Sequence, residues 1–569
     1  MSARPNSVPS WLLMALVFGV AILPLLFVID AAFYRETRVG LSTDRSWVAV
    51  IDVFTGSDYL RYLRNALGLA GIVTAVSLVI GVGIALILGR SDIGQKRMWD
   101  ALITLPLYLS PFAGLMAWIA LASPKTGFVN TIIDAMAGVF MHDPGSIVDI
   151  WTFAGVVFVM TLFFCPLVYL FTVGSLRGMN TSLEEAARIG GATPLTTIMR
   201  ITLPMCLPSI VASALLVFIL GAEMYTIPGI IGSNAGFTTL PWRIFEDSTS
   251  VPVHRAHAAA AGTLLLLVTV FGVWLQGRAT RVSAKFVTLG GKGFNGRPLR
   301  LGRWKWAAWL LLASYVLAAD ILPFGALLMS SLMKFSAGTI TAEVLTFKHY
   351  LGFFTSEEMQ VALLNTVFLA VVTGVICMGL GFMISHMALR NPTWLNRALA
   401  FLAVLPVAVP GLVYGLGLVW TFLRTPLYGT IWVLLFAYVA KFLPYGVIVS
   451  RTGLMQVHPE LAESARMCGA TARYALAKIT APLVKATLAA VLFFVMLNAI
   501  KELSASVLLY SQDSEVLSVL TWHYMDSGDY QFAAAIGFIQ TLIMLAVVFA
   551  AQRLFRVRLD RAFGHGGGR

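Results

Sequence analysis

The sequence predicts an all-α membrane protein of about twelve transmembrane helices, arranged as two homologous six-helix halves. Three observations predict it. The 569 residues are 58% hydrophobic and only 12% charged, against about 25% charged in a soluble domain. Apolar runs of about 20 residues, the length that crosses a bilayer, recur along the chain. Segments of the first half also return, in order, in the second.

In chain order the candidate spans of the first half are residues 11–33, 64–89, 99–122, 151–176, 206–231 and 256–277. Those of the second half are 304–331, 361–389, 396–423, 428–452, 483–510 and 533–556. The first follows Arg4 and resembles a signal peptide. Its apolar run, Trp11 to Ile29, is about 19 residues long, beyond the about 7–15 of a cleavable segment, so it reads as a retained span. Hydrocarbon holds no water to satisfy free backbone groups, and the runs are too long for barrel strands, so helices are required. The four cysteines, Cys165, Cys206, Cys377 and Cys468, form no CxxC pair and suggest neither a disulfide framework nor a zinc site.

The net charge of +13 is a topological signal. With the N-terminus inside, 27 of the 40 Lys and Arg fall in cytoplasmic segments, as basic residues do in membrane proteins. Among them are Arg90, Lys96, Arg97, Arg177, the linker residues from Arg278 to Lys305, and Arg553 in the tail. This places both termini in the cytoplasm and argues against nucleic acid as a partner.

The repeat is explicit. "LRNALGLAGIVTAVSLVIG" after Tyr62 returns as "LLNTVFLAVVTGVICMGLG" after Ala362, aligning Asn65 with Asn365, and Pro106 aligns with Pro406. The first half carries extra residues between Ser123 and Ile150, in an outside loop where insertion leaves the membrane core intact. The chain therefore divides into a first half at 1–278, a basic cytoplasmic linker at 279–303 and a second half at 304–569. A repeat with unchanged topology relates its halves by an axis along the membrane normal.

"SLEEAARIGGATPLTTIMRITLP", Ser182 to Pro204, is a charged stretch in a cytoplasmic loop. Ser182 with Glu185 three residues on reads as a capping box. Glu184 and Glu185 suit the positive end of a helix. Gly190 and Gly191 allow a bend or a close neighbour, and Pro204 breaks the second short helix before the next span. One copy would equally fit an interfacial helix on lipid. The second copy, Glu460 to Pro482, in the corresponding loop favours a surface offered to a protein.

This stretch resembles the E-A-A-x3-G-x9-I-x-L-P pattern of ABC importer permeases. It matches at Glu185, Ala186, Ala187, Gly191, Ile201, Leu203 and Pro204. The second copy keeps Glu463, Ala465, Gly469, Ile479 and Pro482 and departs at Ser464 and Ala481. The resemblance implies a type I ABC importer permease fold with coupling helices at about 182–204 and 460–482. It implies that Glu184, Glu185, Ala186, Ala187, Gly191, Glu463, Ala465 and Gly469 engage two copies of an ATPase subunit. It also implies a periplasmic or extracellular substrate-binding protein, a prokaryotic inner membrane, and alternating access. The sequence contains no G-x-x-x-x-G-K-[ST] phosphate loop. The chain is thus expected to be no enzyme and to bind no cofactor, with ATP and Mg on the partner subunits.

Charges inside spans are costly and mark function. Glu223, Asp320, Lys441, Lys501 and Glu502 are the informative ones. Glu223, Tyr225, Glu502 and Ser504 fall in corresponding spans and are expected to line the translocation path. Lys501 and Glu502 would alternatively only hold helix ends together. Asn65 and Asn365 read as glue between helices. His254 and His257 make a weak metal signal and read as loop residues. "KELSASVLLYS" from Lys501 resembles the K-E-L-P-A-T-L-L-L stretch of ferric-iron permeases, departing at Ser504 and Ser506. That resemblance implies ferric iron as cargo. Iron(III) prefers oxygen ligands, and Glu223 and Glu502 could supply them transiently. An organic solute (phosphonate, thiamine or polyamine) is the alternative cargo, and an ion-coupled secondary transporter the alternative mechanism.

Overall fold

A computed structural model describes residues 8–37, 40–137, 147–179, 182–283, 299–336 and 342–555. The centre of the basic linker, the tail beyond 555 and part of the loop inserted in the first half lie outside these residues.

Among the described residues, nine helices are long and apolar enough to cross a membrane. Three further helix pairs bend sharply at a short break, and counting each pair as one span gives twelve. In the first half the spans are Ser10–Ala31, Ser57–Arg90, Lys96–Tyr108 with Pro111–Ala122, Phe153–Gly178, Pro194–Glu223 and Arg255–Arg278. In the second they are Gly302–Ser331, Glu357–Arg390, Trp394–Ala408 with Gly411–Phe422, Ile431–Met455, Ala472–Leu483 with Lys485–Ile500, and Tyr530–Arg553.

Two expectations need correction. The third and ninth spans are not straight but bend by 97° and 112°. Each first segment ends in a short 3-10 turn, Leu105–Tyr108 or Leu405–Ala408. Pro106 and Pro111, and Pro406 and Pro410, cannot donate the backbone bonds that would carry the helix through. The fifth and eleventh spans also end early, at Glu223 and Ile500. Short helices Thr226–Asn234 and Ser506–Leu509 follow, so a run read as continuous from composition is broken.

The repeat extends to single turns. Ser57–Arg90 and Glu357–Arg390 are both 34 residues long and 300 positions apart. Short helices Ser182–Ile189 and Glu460–Met467 are each followed by a four-residue helix, Pro194–Thr197 or Ala472–Ala475, and a π-type turn, Ile198–Thr202 or Leu476–Thr480. In each half the second span packs on the fourth and fifth, as the eighth packs on the tenth and eleventh. Glycines permit the approach: a Cβ on Gly381 would stand 2.4 Å from the carbonyl carbon of Gly446. Gly81, 300 positions earlier, faces Val168 at 2.7 Å. Small residues at such crossings let helix backbones touch where lipid gives no hydrophobic drive.

The first span of each half crosses to the other half. Leu23–Ala31 packs on Gly411–Phe422, and Leu322–Ser331 packs on Pro111–Ala122. A π-type turn at Phe18–Ile22 loosens the first span. Tyr414 of the ninth span donates its hydroxyl toward the carbonyls of Val20 (2.8 Å) and Ala21 (2.6 Å) there. Both halves thus share one buried interior. An antiparallel hairpin, Tyr34–Thr37 with Gly40–Arg45, follows the first span.

Candidate functional site: translocation path and coupling surface

The intramembrane charges meet where the fifth and eleventh spans break. Lys441 of the tenth span donates to Glu502 Oε2 at 2.7 Å. The other carboxylate oxygen of Glu502 accepts the amide of Ala505 at 3.0 Å. The backbone of this turn is tied on several sides. Ser518 donates to the Glu502 carbonyl (2.6 Å), Gln540 to the Ile500 carbonyl (2.6 Å), and Tyr438 and Ser506 share a hydrogen bond of 2.8 Å. Backbone groups freed at a break inside a membrane need such partners.

Glu223 ends the fifth span within electrostatic reach of both Lys441 and Glu502. Among the described residues Lys441 pairs with Glu502 and not with Glu223. Tyr225 is buried, and its hydroxyl makes no hydrogen bond to the described residues. Ser504 packs on the break of the ninth span: a Cβ on Gly411 would come within 2.9 Å of Ser504 Cβ and 2.5 Å of Lys441 Nζ.

Lys501 crosses between halves. It donates to the carbonyl of Leu107 at 2.8 Å, in the 3-10 turn where the third span breaks. The prolines free that carbonyl, and the lysine satisfies it. The sequence allowed Lys501 a part in holding helix ends together but not this partner, which depends on a bend that hydropathy does not register. Asn65 and Asn365 also differ from expectation. Asn65 bonds the carbonyl of Thr238 (2.9 Å), and Asn365 those of Asp513 (3.1 Å) and Glu515 (3.0 Å). They tie loops to spans and do not join helices. Asp320 sits in the π-type turn Leu317–Ile321 just before Pro323, buried, with neither carboxyl oxygen hydrogen-bonded to the described residues.

The coupling stretches have one architecture. Helix Ser182–Ile189 stops at Gly191, whose φ is +85°. The amide of Ala192 bonds the carbonyl of Ala187 (2.9 Å) and that of Gly191 the carbonyl of Arg188 (3.0 Å). This pair of bonds is the Schellman motif, which requires a left-handed residue and so favours glycine. In the second copy Gly469 has φ +90°, and Ala470 bonds Ala465 while Gly469 bonds Arg466, each at 3.0 Å. Thr193 and Thr471 then cap the next helices through the amides of Thr196 and Tyr474. Ser182 is the first residue of the first helix, and the residues before it are outside those described.

Glu185, Ala186, Ala187 and Gly191 lie at or near the surface, as do Glu463, Ala465 and Gly469. Glu184 does not. It is 7% exposed, lies 3.1 Å from Arg90 Nε at the end of the second span, and accepts from Thr202 Oγ1 at 2.8 Å. It is an internal anchor. Large apolar side chains stand out instead: Leu183 is 52% exposed and Ile189 89%, and their counterparts Leu461 and Met467 are 51% and 89% exposed.

Residues 77–281 and 378–563 both match the family described as binding-protein-dependent transport system inner membrane component. The chain belongs to this family. It carries the family's unit twice, as a fused multi-pass ABC importer permease. A ferric transport system permease protein FbpB of Actinobacillus pleuropneumoniae is 25% identical over 505 residues, 87% of this chain and 71% of that one. The Fe(3+)-transport system permease protein FbpB 2 of Haemophilus influenzae is 25% identical over 554 residues, covering 95% of this chain and 97% of the relative. The molybdenum transport system permease protein ModB of Mycobacterium bovis is 28% identical, covering 46% of this chain and 91% of its own. Among solved structures, a bacterial alginate ABC transporter in complex with a periplasmic protein bound to alginate pentasaccharide matches 45% of this chain with 20% identity and a TM-score of 0.37.

Proposed function

We propose that this permease is the membrane subunit of an ATP-driven importer of ferric iron, fed by a substrate-binding protein on the outer face. The cargo reading is supported by the ferric relatives that span almost the full chain. The observation that carries the mechanism is the duplicated apolar pair, Leu183 with Ile189 and Leu461 with Met467, exposed on helices whose ends are fixed by left-handed glycines. Such pairs suit clefts in two ATPase subunits, where ATP and Mg would bind. Both coupling loops follow an even number of crossings, so they share the face of the termini, which positive charge assigns to the cytoplasm.

The lever is short. Each coupling helix runs through its Schellman turn into the fifth or eleventh span, and these end at Glu223 and beside Glu502. Rotation of a coupling helix would pull directly on the turn that holds the Lys441–Glu502 pair and the Lys501–Leu107 tie. Opening that pair would free carboxylate oxygens for a hard cation in transit. Two lysines in the same place also suit an oxyanion, and a second reading, a phosphonate cargo, rests on Lys441 and Lys501.

The test is uptake of radiolabelled Fe(III) by cells with and without the gene, in a strain lacking other iron importers, with ATP depletion as control. ATP-dependent uptake should vanish in the deletion. Unchanged uptake overturns iron and directs the same assay to phosphonates, thiamine and polyamines. Separately, the double variant Ile189→Asp/Met467→Asp should lose a co-purifying ATPase subunit while remaining in the membrane.

A further inference from the structure

On the face opposite the coupling helices, three segments remote in sequence converge on Glu36. The residue sits in the hairpin after the first span; His254 and His257 open the sixth span, and Asp52 lies on helix Val48–Thr55. Glu36 Oε2 is 3.3 Å from His254 Nδ1, and Glu36 Oε1 is 3.1 Å from His257 Nδ1. All three donor sets fit within 4.8 Å of one another.

The geometry points to a site for one divalent transition ion, with His254 Nδ1, His257 Nδ1 and Glu36 as ligands. Zinc binds imidazole and carboxylate at about 2.0–2.2 Å in a tetrahedron, which sets neighbouring donors roughly 3.3 Å apart. The two separations above are already of that size. Two imidazoles with one carboxylate is a borderline donor set, better matched to zinc-like divalent ions than to a hard trivalent one.

Two further observations aim the nitrogens. Asp52 Oδ2 lies 3.2 Å from His257 Nε2 and can accept its proton, which leaves the Nδ1 lone pair directed at Glu36. A carboxylate on the far nitrogen of a histidine is the usual support of a metal ligand. Among the described residues the buried His257 Nδ1 makes no aligned hydrogen bond, although it lies beside Glu36. Glu36 is held independently, because Oε1 accepts the amides of Ala256 (2.8 Å) and His257 (3.0 Å) at the start of the sixth span. The carboxylate is therefore fixed before any ion arrives, and an ion would staple the hairpin to that span. The site does not depend on which cargo the permease carries.

The test uses the full chain in detergent micelles, without a polyhistidine tag, stripped with a chelator. Titration with Co²⁺ should give visible absorption of tetrahedral intensity at one ion per chain, lost on adding Zn²⁺. His257→Ala should abolish it. Asp52→Asn should weaken binding about 10–100-fold, the usual effect of losing a supporting carboxylate. His254→Ala removes a half-exposed ligand without touching the backbone bonds of Glu36, so it separates lost binding from lost folding. Absence of the cobalt spectrum in the folded wild type overturns the assignment, as does equal stoichiometry in the His254→Ala/His257→Ala double variant.

Discussion

Gly191 and Gly469 allow conformation and contact to be separated. A Cβ added at either position would meet nothing within 4 Å, so substitution costs nothing in steric overlap within this chain. The cost is confined to the backbone, where φ is +85° and +90°. For most L-residues the left-handed region costs roughly 1–2 kcal/mol, and asparagine tolerates it best. The helices these glycines close are only 8 residues long, too short to be stable alone. A loss of about 1–2 kcal/mol lowers the population of the closed turn roughly 5- to 30-fold. ATP-dependent uptake, normalised to membrane abundance, should therefore fall in the order Gly, Asn, Ala, Val at either site. Gly191→Asp and Gly469→Asp add charge at the partner-facing surface and should abolish uptake. If Ala at these positions outperforms Asn, backbone strain is not the cause, and close approach of a partner governs the position instead.

Lys441→Met leaves the buried Glu502 without the cation that pairs with it. Removing one partner of a buried pair costs about 3–5 kcal/mol. Thermal unfolding in detergent should register that loss, and Lys441→Met/Glu502→Gln should recover much of it; additive losses would mean the contact is incidental. Gly381→Leu drives a side chain into the backbone of Gly446 and should lower the melting temperature by overpacking, worth about 1–3 kcal/mol. An unchanged melting temperature would place the eighth and tenth spans further apart. Burial alone would raise the Glu36 carboxyl, but the His257 imidazole beside it and the hydrogen bond from the His257 amide hold it down at about 2. A lowered carboxyl stabilises the folded form above its ordinary value and loses that contribution as pH falls. Fluorescence of Trp47, beside the hairpin, should thus report loosening as pH falls from about 4.5 to about 2. Unchanged fluorescence across that window would refute the clasp.

The spans were legible because lipid imposes one rule on composition over about 20 residues. Their interruptions were less so. Pro106, Pro111, Pro406 and Pro410 stood in the sequence as breakers, yet each bend leaves the run apolar on both sides. Ile227 and Val507 likewise keep the composition of a span beyond the point where the helix ends. The coupling glycines were legible in position, since a Schellman turn is local and its glycine lies next to the helix it closes. Glu184 was misread as a surface group because its partner, Arg90, comes from another helix. The cluster at Glu36 escaped for the same reason: His254 and His257 show only a spacing, while their carboxylate comes from 218 residues away.

The tie from Lys501 to Leu107 bears on why the two halves share one polypeptide. Along the 278-residue offset that relates the coupling stretches, Lys501 stands where Glu223 stands in the first half. In an assembly of two identical subunits those places would carry the same residue, two acids or two bases. Fusion lifts that constraint, since each position can mutate alone. An acid in one half and a base at the matching position of the other then become compatible, and Lys501 can serve the Leu107 carbonyl without a lysine at the position of Glu223.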